Sequence, residues 1–240
     1  MEDHENLYDK IKEIFGVIPG NFNIMEDTID VDLQMEYFEY SKKMSQEFDE
    51  QWVVSQIHVL EDPDGIHHVK KQILARLASM HEVMAYRTIE SYLKNVEPEL
   101  KEWCMLALQE SRMNIESHLL EENQIFISTG LGGREDKLRY FVVLIARNRE
   151  TLTDLQLRII NSEFTEVLKK YDAEIEDSGA SGYLATFQLL LPIRHPVKQV
   201  FSEGIDEVNQ FGDFLRDTCI VTNVKKLSFK EIEDFIEQKK

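Results

Sequence analysis

The spacing of apolar residues changes character near residue 123, and no motif in the chain constrains the fold as strongly. Before that point apolar residues recur every three or four positions, the signature of helices with one buried face. Beyond it, helical stretches alternate with short β-branched and aromatic runs. One chain therefore has to solve two packing problems. The pattern predicts an α+β protein with an all-α part over 1–123 and a mixed part over 124–240. With 240 residues, each part is long enough to bury its own core without disulfides or metals.

In the first part, Ile66, Val69, Ile73, Leu74 and Leu77 make one helical stripe, and Val83, Tyr86, Ile89 and Leu93 a second. Pro98 opens a third that carries Leu100, Cys104, Leu108 and Ile115. Upstream, Tyr8, Ile11 and Phe15 predict a short helix. Leu33, Tyr37, Phe38 and Met44 predict another, and Trp52, Val53, Ile57 and Leu60 a third, with a turn at Asp62 to Gly65. Strand-like alternation is absent from this part of the sequence.

Residues 68–77 align with 99–108 at an offset of 31, so that Val69 falls on Leu100, Ile73 on Cys104 and Leu77 on Leu108. A helix–turn–helix unit of this length, with Lys70 and Lys101 following the first apolar residue, resembles HEAT-like repeats. That resemblance covers residues 65–117 and implies stacked helix pairs with one concave face. His81-Glu82 and His4-Glu5 are similar to the paired ligands of HEAT-repeat deoxyhypusine hydroxylases. The matching positions, however, hold His68-Val69 and Glu99-Leu100, which removes the ligands a di-iron site needs.

The second part reads as a strand at 124–128, a strand at 138–146, a helix at 151–171 and a short strand at 173–177. A turn over Gly179 to Gly182, a strand at 183–191, a helix at 196–216, a strand at 218–224 and a helix at 229–238 complete it. Thr153 with Gln156, or Thr151 with Asp154, and Ser228 with Glu231, are spaced as capping boxes. From 138 onward the order β-α-β-β-α-β resembles the split βαβ, or ferredoxin-like, fold. The resemblance implies a small-molecule or regulatory domain and homodimers that pair through the sheets.

On the expectation that the first and third strands of that sheet run parallel, their exits share one edge. These exits carry Arg147, Asn148, Arg149 and Thr151, and Arg194 and His195. Each leads into a helix start, where free N–H groups and the dipole favour an anion and oppose cationic side chains. A bound phosphate or carboxylate would relieve that conflict, and arginine suits a two-point grip on either. Charged, solvated turns with Glu150 paired to one arginine produce the same pattern. Between the first two strands, Thr129, Gly130, Gly132, Gly133 and Arg134 form a glycine-rich loop. It lacks the P-loop Lys-Ser/Thr and the strand-to-helix context of a dinucleotide fingerprint. A hairpin explains the glycines, with a recognition loop as the alternative.

Forty-five acidic residues against 27 basic ones give a net charge of −18, of which 1–123 carries −15. That balance disfavours nucleic acid and anionic membranes and favours a basic protein partner. The two cysteines, Cys104 and Cys219, fit neither a zinc site nor a disulfide framework, and no cofactor motif or Gly-x-Ser-x-Gly elbow occurs. The acidic start has no signal-like apolar core and the longest apolar run is too short to span a bilayer. A soluble cytoplasmic protein is the expectation. Together these features point to a non-enzymatic interaction or adaptor protein, with an anion-sensing domain as the alternative. An enzyme at the arginine edge would have His195 as its one candidate acid or base.

Overall fold

The computed structural model describes residues 22–46, 49–120 and 125–238. The protein is mixed α+β, with a helical array and an antiparallel sheet. It divides into two compact units: Ile29–Phe126, and the described residues of Met1–Thr28 together with Ile127–Lys240.

The helical unit contains α1 (Val31–Gln46), α2 (Glu50–Gln56) running into a 3₁₀ turn at Ile57–Leu60, α3 (His67–Ala78), α4 (Val83–Leu93) and α5 (Lys101–Leu120). Asp49 caps α2 by accepting from Trp52 N–H at 3.1 Å. Helix α3 is central, with Ile73, Leu74, Ala75, Leu77 and Ala78 all buried. Trp103 Nε1 of α5 donates to Lys71 O at 3.3 Å and Asn114 Nδ2 donates to Ala78 O at 2.9 Å. Helices α3 and α5 therefore run side by side in the same direction, and the two aligned segments of the sequence are neighbours in space. The helix expected at residues 8–15 lies outside the described residues.

Three cations of α3 lie against aromatic rings. Lys70 stands 5.7 Å from the Tyr92 ring, Lys71 4.1 Å from Trp103 and Arg76 4.8 Å from Trp52. Lys70 and Arg76 are buried, and Arg76 Nε has no hydrogen-bond acceptor among the described residues. A half-buried carboxylate, Glu110 of α5, accepts from Tyr37 OH at 2.5 Å and Ser41 Oγ at 2.8 Å, both on α1. Burial raises the Glu110 carboxyl above its ordinary value, and the two hydroxyls only partly offset this.

The sheet unit begins with β1 (Phe22–Ile24), a strand that three residues are too few to announce as a pattern. It pairs with β2 (Ile125–Ile127), and Met25 N–H donates to Ile127 O at 3.0 Å. The main sheet has the order β3 (Gly133–Arg134), β4 (Lys137–Ile145), β6 (Leu184–Pro192), β5 (Glu174–Ser181). Strand β7 (Ile220–Thr222) flanks β4, and every pairing is antiparallel. Helix α6 (Asp154–Lys170) connects β4 to β5, α7 (Val197–Asn209) follows β6, and α8 (Phe229–Gln238) closes the chain. The capping boxes at Thr153/Gln156 and Ser228/Glu231 both form.

Besides β1, which falls in the part expected to be all-α, two elements differ in extent from the sequence reading. Strand β5 continues through Gly179 to Ser181 and turns at Gly182 and Tyr183, where Gly182 takes φ +56° as the turn requires. Helix α7 stops at Asn209, whose side chain accepts from Leu215 N–H and donates to Leu215 O, folding residues 210–215 back.

The sheet has a core on both faces. Phe141, Val143 and Ile145 pack with Leu131, Leu184, Ile232 and Ile236, which brings α8 onto one side. On the other side the Phe187 and Phe164 rings stack at 5.0 Å, with Phe201 6.1 Å beyond Phe164. Among the described residues no helix is long and apolar enough to cross a membrane.

Candidate functional site

The expectation of parallel first and third strands is wrong. Strands β4 and β6 pair antiparallel, Lys137 opposite Pro192 and Ile145 opposite Leu184. The reason is the connection: the crossover through α6 brings β5 into line with β4, and the tight β5–β6 hairpin then reverses the chain. The exit after β4 and the exit after β6 therefore lie at opposite ends of the sheet, and no single anion cradle forms from them.

At the first end, the Arg147 guanidinium bonds Asp213 and Asp217, each at 2.7 Å. Arg149 takes φ +56° and lies 5.9 Å from the Tyr183 ring. Asn148 and Thr151 are exposed. At the other end, Arg194 bonds Asp136 at 2.6 Å and reaches Asp172 at 3.5 Å. Lys137, nearly buried, bonds Glu174 at 2.7 Å and lies 3.3 Å from Asp172, while Arg134 also bonds Glu174. The Tyr171 ring packs edge-on against His195 at 5.2 Å. Burial and the neighbouring Arg194 charge lower the His195 pKa. Arg134 thus joins Arg194 at one end of the sheet. The arginines are already matched by carboxylates or a ring, which relieves the conflict that an anion was expected to relieve.

The glycine-rich loop is not a hairpin between two paired strands, because β2 pairs with β1 and not with β4. Its glycines permit close backbone approach instead. A Cβ on Gly130 would fall 1.9 Å from Val224 O, and Gly132 takes φ +68° with its hydrogen facing Glu26 O. Thr129 Oγ1 donates to Gly132 O at 3.2 Å, closing the loop on itself. A Cβ on Gly133 would fall 2.3 Å from Lys137 O.

A different place gathers polar groups around a concavity. In the helical unit, an open groove of about 840 Å³ runs between two walls. One wall is Ile57, His58, Leu60, Glu61 and Pro63; the other is Arg87, Thr88, Ser91 and Tyr92 of α4, followed by Asn95 and Glu97. Behind the groove the Lys70 ammonium donates to one oxygen of Glu97 while Tyr92 OH donates to the other. Lys70 reaches this position because residue 65 is glycine. A Cβ there would stand 2.7 Å from Lys70 Cε and 2.8 Å from Val59 O.

Burial alone would raise the Glu97 pKa. The ammonium and the phenol outweigh burial and hold it at about 2. Burial and the adjacent carboxylate push Tyr92 far above its usual range. Glu97 is therefore ionised and Tyr92 protonated at neutral pH, an arrangement for holding shape and charge and not for moving protons.

In the groove lining Glu61 and Glu97 stand against Arg87, with Lys70 bonded to Glu97 from behind and Glu90 bonded to Arg87; the exposed Asp62 and Asp64 follow Glu61 in the chain. Lys70 was visible in the sequence as the basic residue of a repeat, but nothing there distinguished it from Lys101, which is exposed. Cys104 is fully buried and its thiol is pushed up to about 12 by that burial, so it offers no nucleophile. Among the described residues no group of three His, Cys, Asp or Glu side chains is placed to hold a metal ion.

No protein-family model matches the chain, and no curated protein matches it. Among solved structures it is similar to a putative transposase from Deinococcus radiodurans R1. That match has 14% identity and a TM-score of 0.39, over 44% of this chain and 93% of the other. It is also similar to a REP-associated tyrosine transposase bound to a REP hairpin, at 12% identity and a TM-score of 0.33. There the match covers 44% of this chain and 66% of the other. At these TM-scores neither likeness bears on function.

Proposed function

We propose that the protein is a non-enzymatic interaction protein whose helical unit receives a basic segment of a protein partner in the groove between the Ile57–Pro63 wall and α4. The observation that carries this reading is the groove itself: apolar along Ile57, Leu60 and Pro63, with the carboxylates of Glu61 and Glu97 in its lining and exposed Asp62 and Asp64 beside Glu61 in the chain. Its shape is fixed from behind by the Lys70–Glu97–Tyr92 cluster. The helical unit as a whole holds 19 acidic and 9 basic residues, so its long-range field attracts the same class of ligand. Within this reading the helical unit is a HEAT-like array, supported by the parallel course of α3 and α5. The other unit is ferredoxin-like, supported by the order β7-β4-β6-β5 with helices after β4 and β6.

The test is fluorescence anisotropy of labelled peptides of equal length, Lys/Arg-rich, neutral and Glu/Asp-rich, titrated with the intact chain. Basic peptides should bind best and weaken between 50 and 300 mM salt, by about fivefold or more, as exposed charges are screened. The Glu61→Lys/Asp64→Lys variant should lose a similar factor. Equal binding of all three peptide classes, or no effect of the charge reversal, refutes the proposal.

A further inference from the structure

Strand β5 is the outer strand of the main sheet, bonded to β6 along its length, and seven of its eight residues are exposed. Edges of this kind are normally guarded by unpaired charge or by irregularity. Here the acids of β5 are neutralised from within the unit. Glu174 is bonded by Arg134 and Lys137, Glu176 by Arg139 through two contacts, and Asp177 by Lys226 at 2.6 Å. The bulge between Ile175 and Asp177 confines the irregularity to the first half. The second half, Ser178-Gly179-Ala180-Ser181, is uncharged, small and regular.

The hairpin fixes which backbone groups are free. With Ser181 opposite Leu184 across a two-residue turn, and Gly179 opposite Thr186, alternate residues bond β6. Ser178 and Ala180 direct N–H and C=O outward, the Ser178 N–H toward the carboxylate of Asp177. An antiparallel pair centred on Gly179 would set Gly179 opposite its own copy, Ser178 opposite Ala180 and Asp177 opposite Ser181. In this register, opposed residues share a face, as a continuous sheet demands. The two glycines meet at the closely spaced position, about 4.5 Å between Cα atoms, with no side chain to keep them apart. Acid never faces acid, whereas a parallel pairing would align the carboxylates.

We infer that β5 is a self-association edge, through which two copies of the chain join their sheets antiparallel about a two-fold axis at Gly179. The contact is short, so association is weak and reversible, with a dissociation constant on the order of 100 µM to 1 mM. Each copy carries a charge of −18, so added salt strengthens it.

Sedimentation equilibrium of the intact chain in 0.3 M salt, for the parent, Ser181→Glu and Ser181→Lys, tests the inference. Residue 181 is exposed, and either side chain would lie opposite Asp177 of the second copy. Ser181→Glu should lower the association constant about threefold or more and Ser181→Lys should raise it by a similar factor, since two symmetric cross-strand pairs are altered. Amide exchange at Ala180 should slow as concentration rises. A strictly monomeric chain at 1 mM overturns the inference. So does a dimer that neither substitution moves, or amide protection that appears only when a different protein is added.

Discussion

Glu97→Gln isolates the energetics behind the groove. The substitution keeps an oxygen acceptor for Tyr92 but leaves the Lys70 ammonium, whose side chain has 0% exposure, without a counter-charge. Two routes give the cost. Holding the Glu97 pKa at about 2 against an ordinary 4.5 corresponds to about 3 kcal/mol at neutral pH. Removing one partner of a buried pair typically costs about 3–5 kcal/mol. Glu97 keeps 26% exposure, which lets water reach the site, so about 2–3 kcal/mol is the expected loss.

The pH dependence has a definite sign. A carboxyl depressed in the folded state contributes fully above its unfolded value and loses that contribution as pH falls through the folded one. The deficit of Glu97→Gln should therefore be full at pH 7 and shrink between 4.5 and about 2. Urea unfolding followed by tryptophan fluorescence is the assay, because both tryptophans, Trp52 and Trp103, belong to the helical unit. Lys70→Met with Glu97→Gln should recover most of the loss by removing the stranded charge. A single-variant loss below about 1 kcal/mol, or a double variant as unstable as the two singles combined, would refute the reasoning.

Glu110→Gln should behave oppositely: a carboxyl raised by burial contributes below its unfolded value and loses that contribution as pH rises through the folded one. The amide should then match or exceed the parent at pH 7 and fall behind it at pH 4, read by the same fluorescence assay. Gly130→Ala would press a methyl group into the Val224 carbonyl, and a loss of about 2–3 kcal/mol is expected, measured by hydrogen exchange of the β4 amides. His195 should titrate below 6.5 by NMR. Because burial and Arg194 both lower it, Arg194→Ala should move the midpoint upward, and an unchanged midpoint would count against the charge contribution.

Most elements were legible because their residues repeat at the period of the structure they form. Of the apolar stripe Val197, Val200, Phe201, Ile205 and Val208 of α7, all are buried as their spacing predicts except the half-buried Val197, and so are the nine residues Leu138 to Ala146 save the half-buried Arg139. Hidden were the features that depend on residues far apart in the chain. Strand direction is one: 138–146 and 183–191 both read as core strands, but only the hairpin at Gly182 and Tyr183 makes them antiparallel. The arginines stood out as unusual, yet their partners lie elsewhere. Asp213 and Asp217 are 66 and 70 residues from Arg147, and Asp136 is 58 from Arg194.

The distribution of charge in the helical unit carries the argument one step further. Of its nine basic residues, Lys70 and Arg76 are withdrawn into the interior of α3, one against Glu97 and Tyr92 and the other against Trp52. Glu97, the one carboxylate spent on them, is itself largely covered. Of the other acids among the described residues, Glu110 is half-buried, while Glu61, Asp62 and Asp64 stay in water. Among the described residues of this unit folding therefore buries two cations and no acid, since Glu97 and Glu110 are only half-buried. A surface made this way carries excess negative charge as a consequence of how its core is packed. Relocating a cation from core to surface should then weaken a basic ligand more than adding one carboxylate strengthens it.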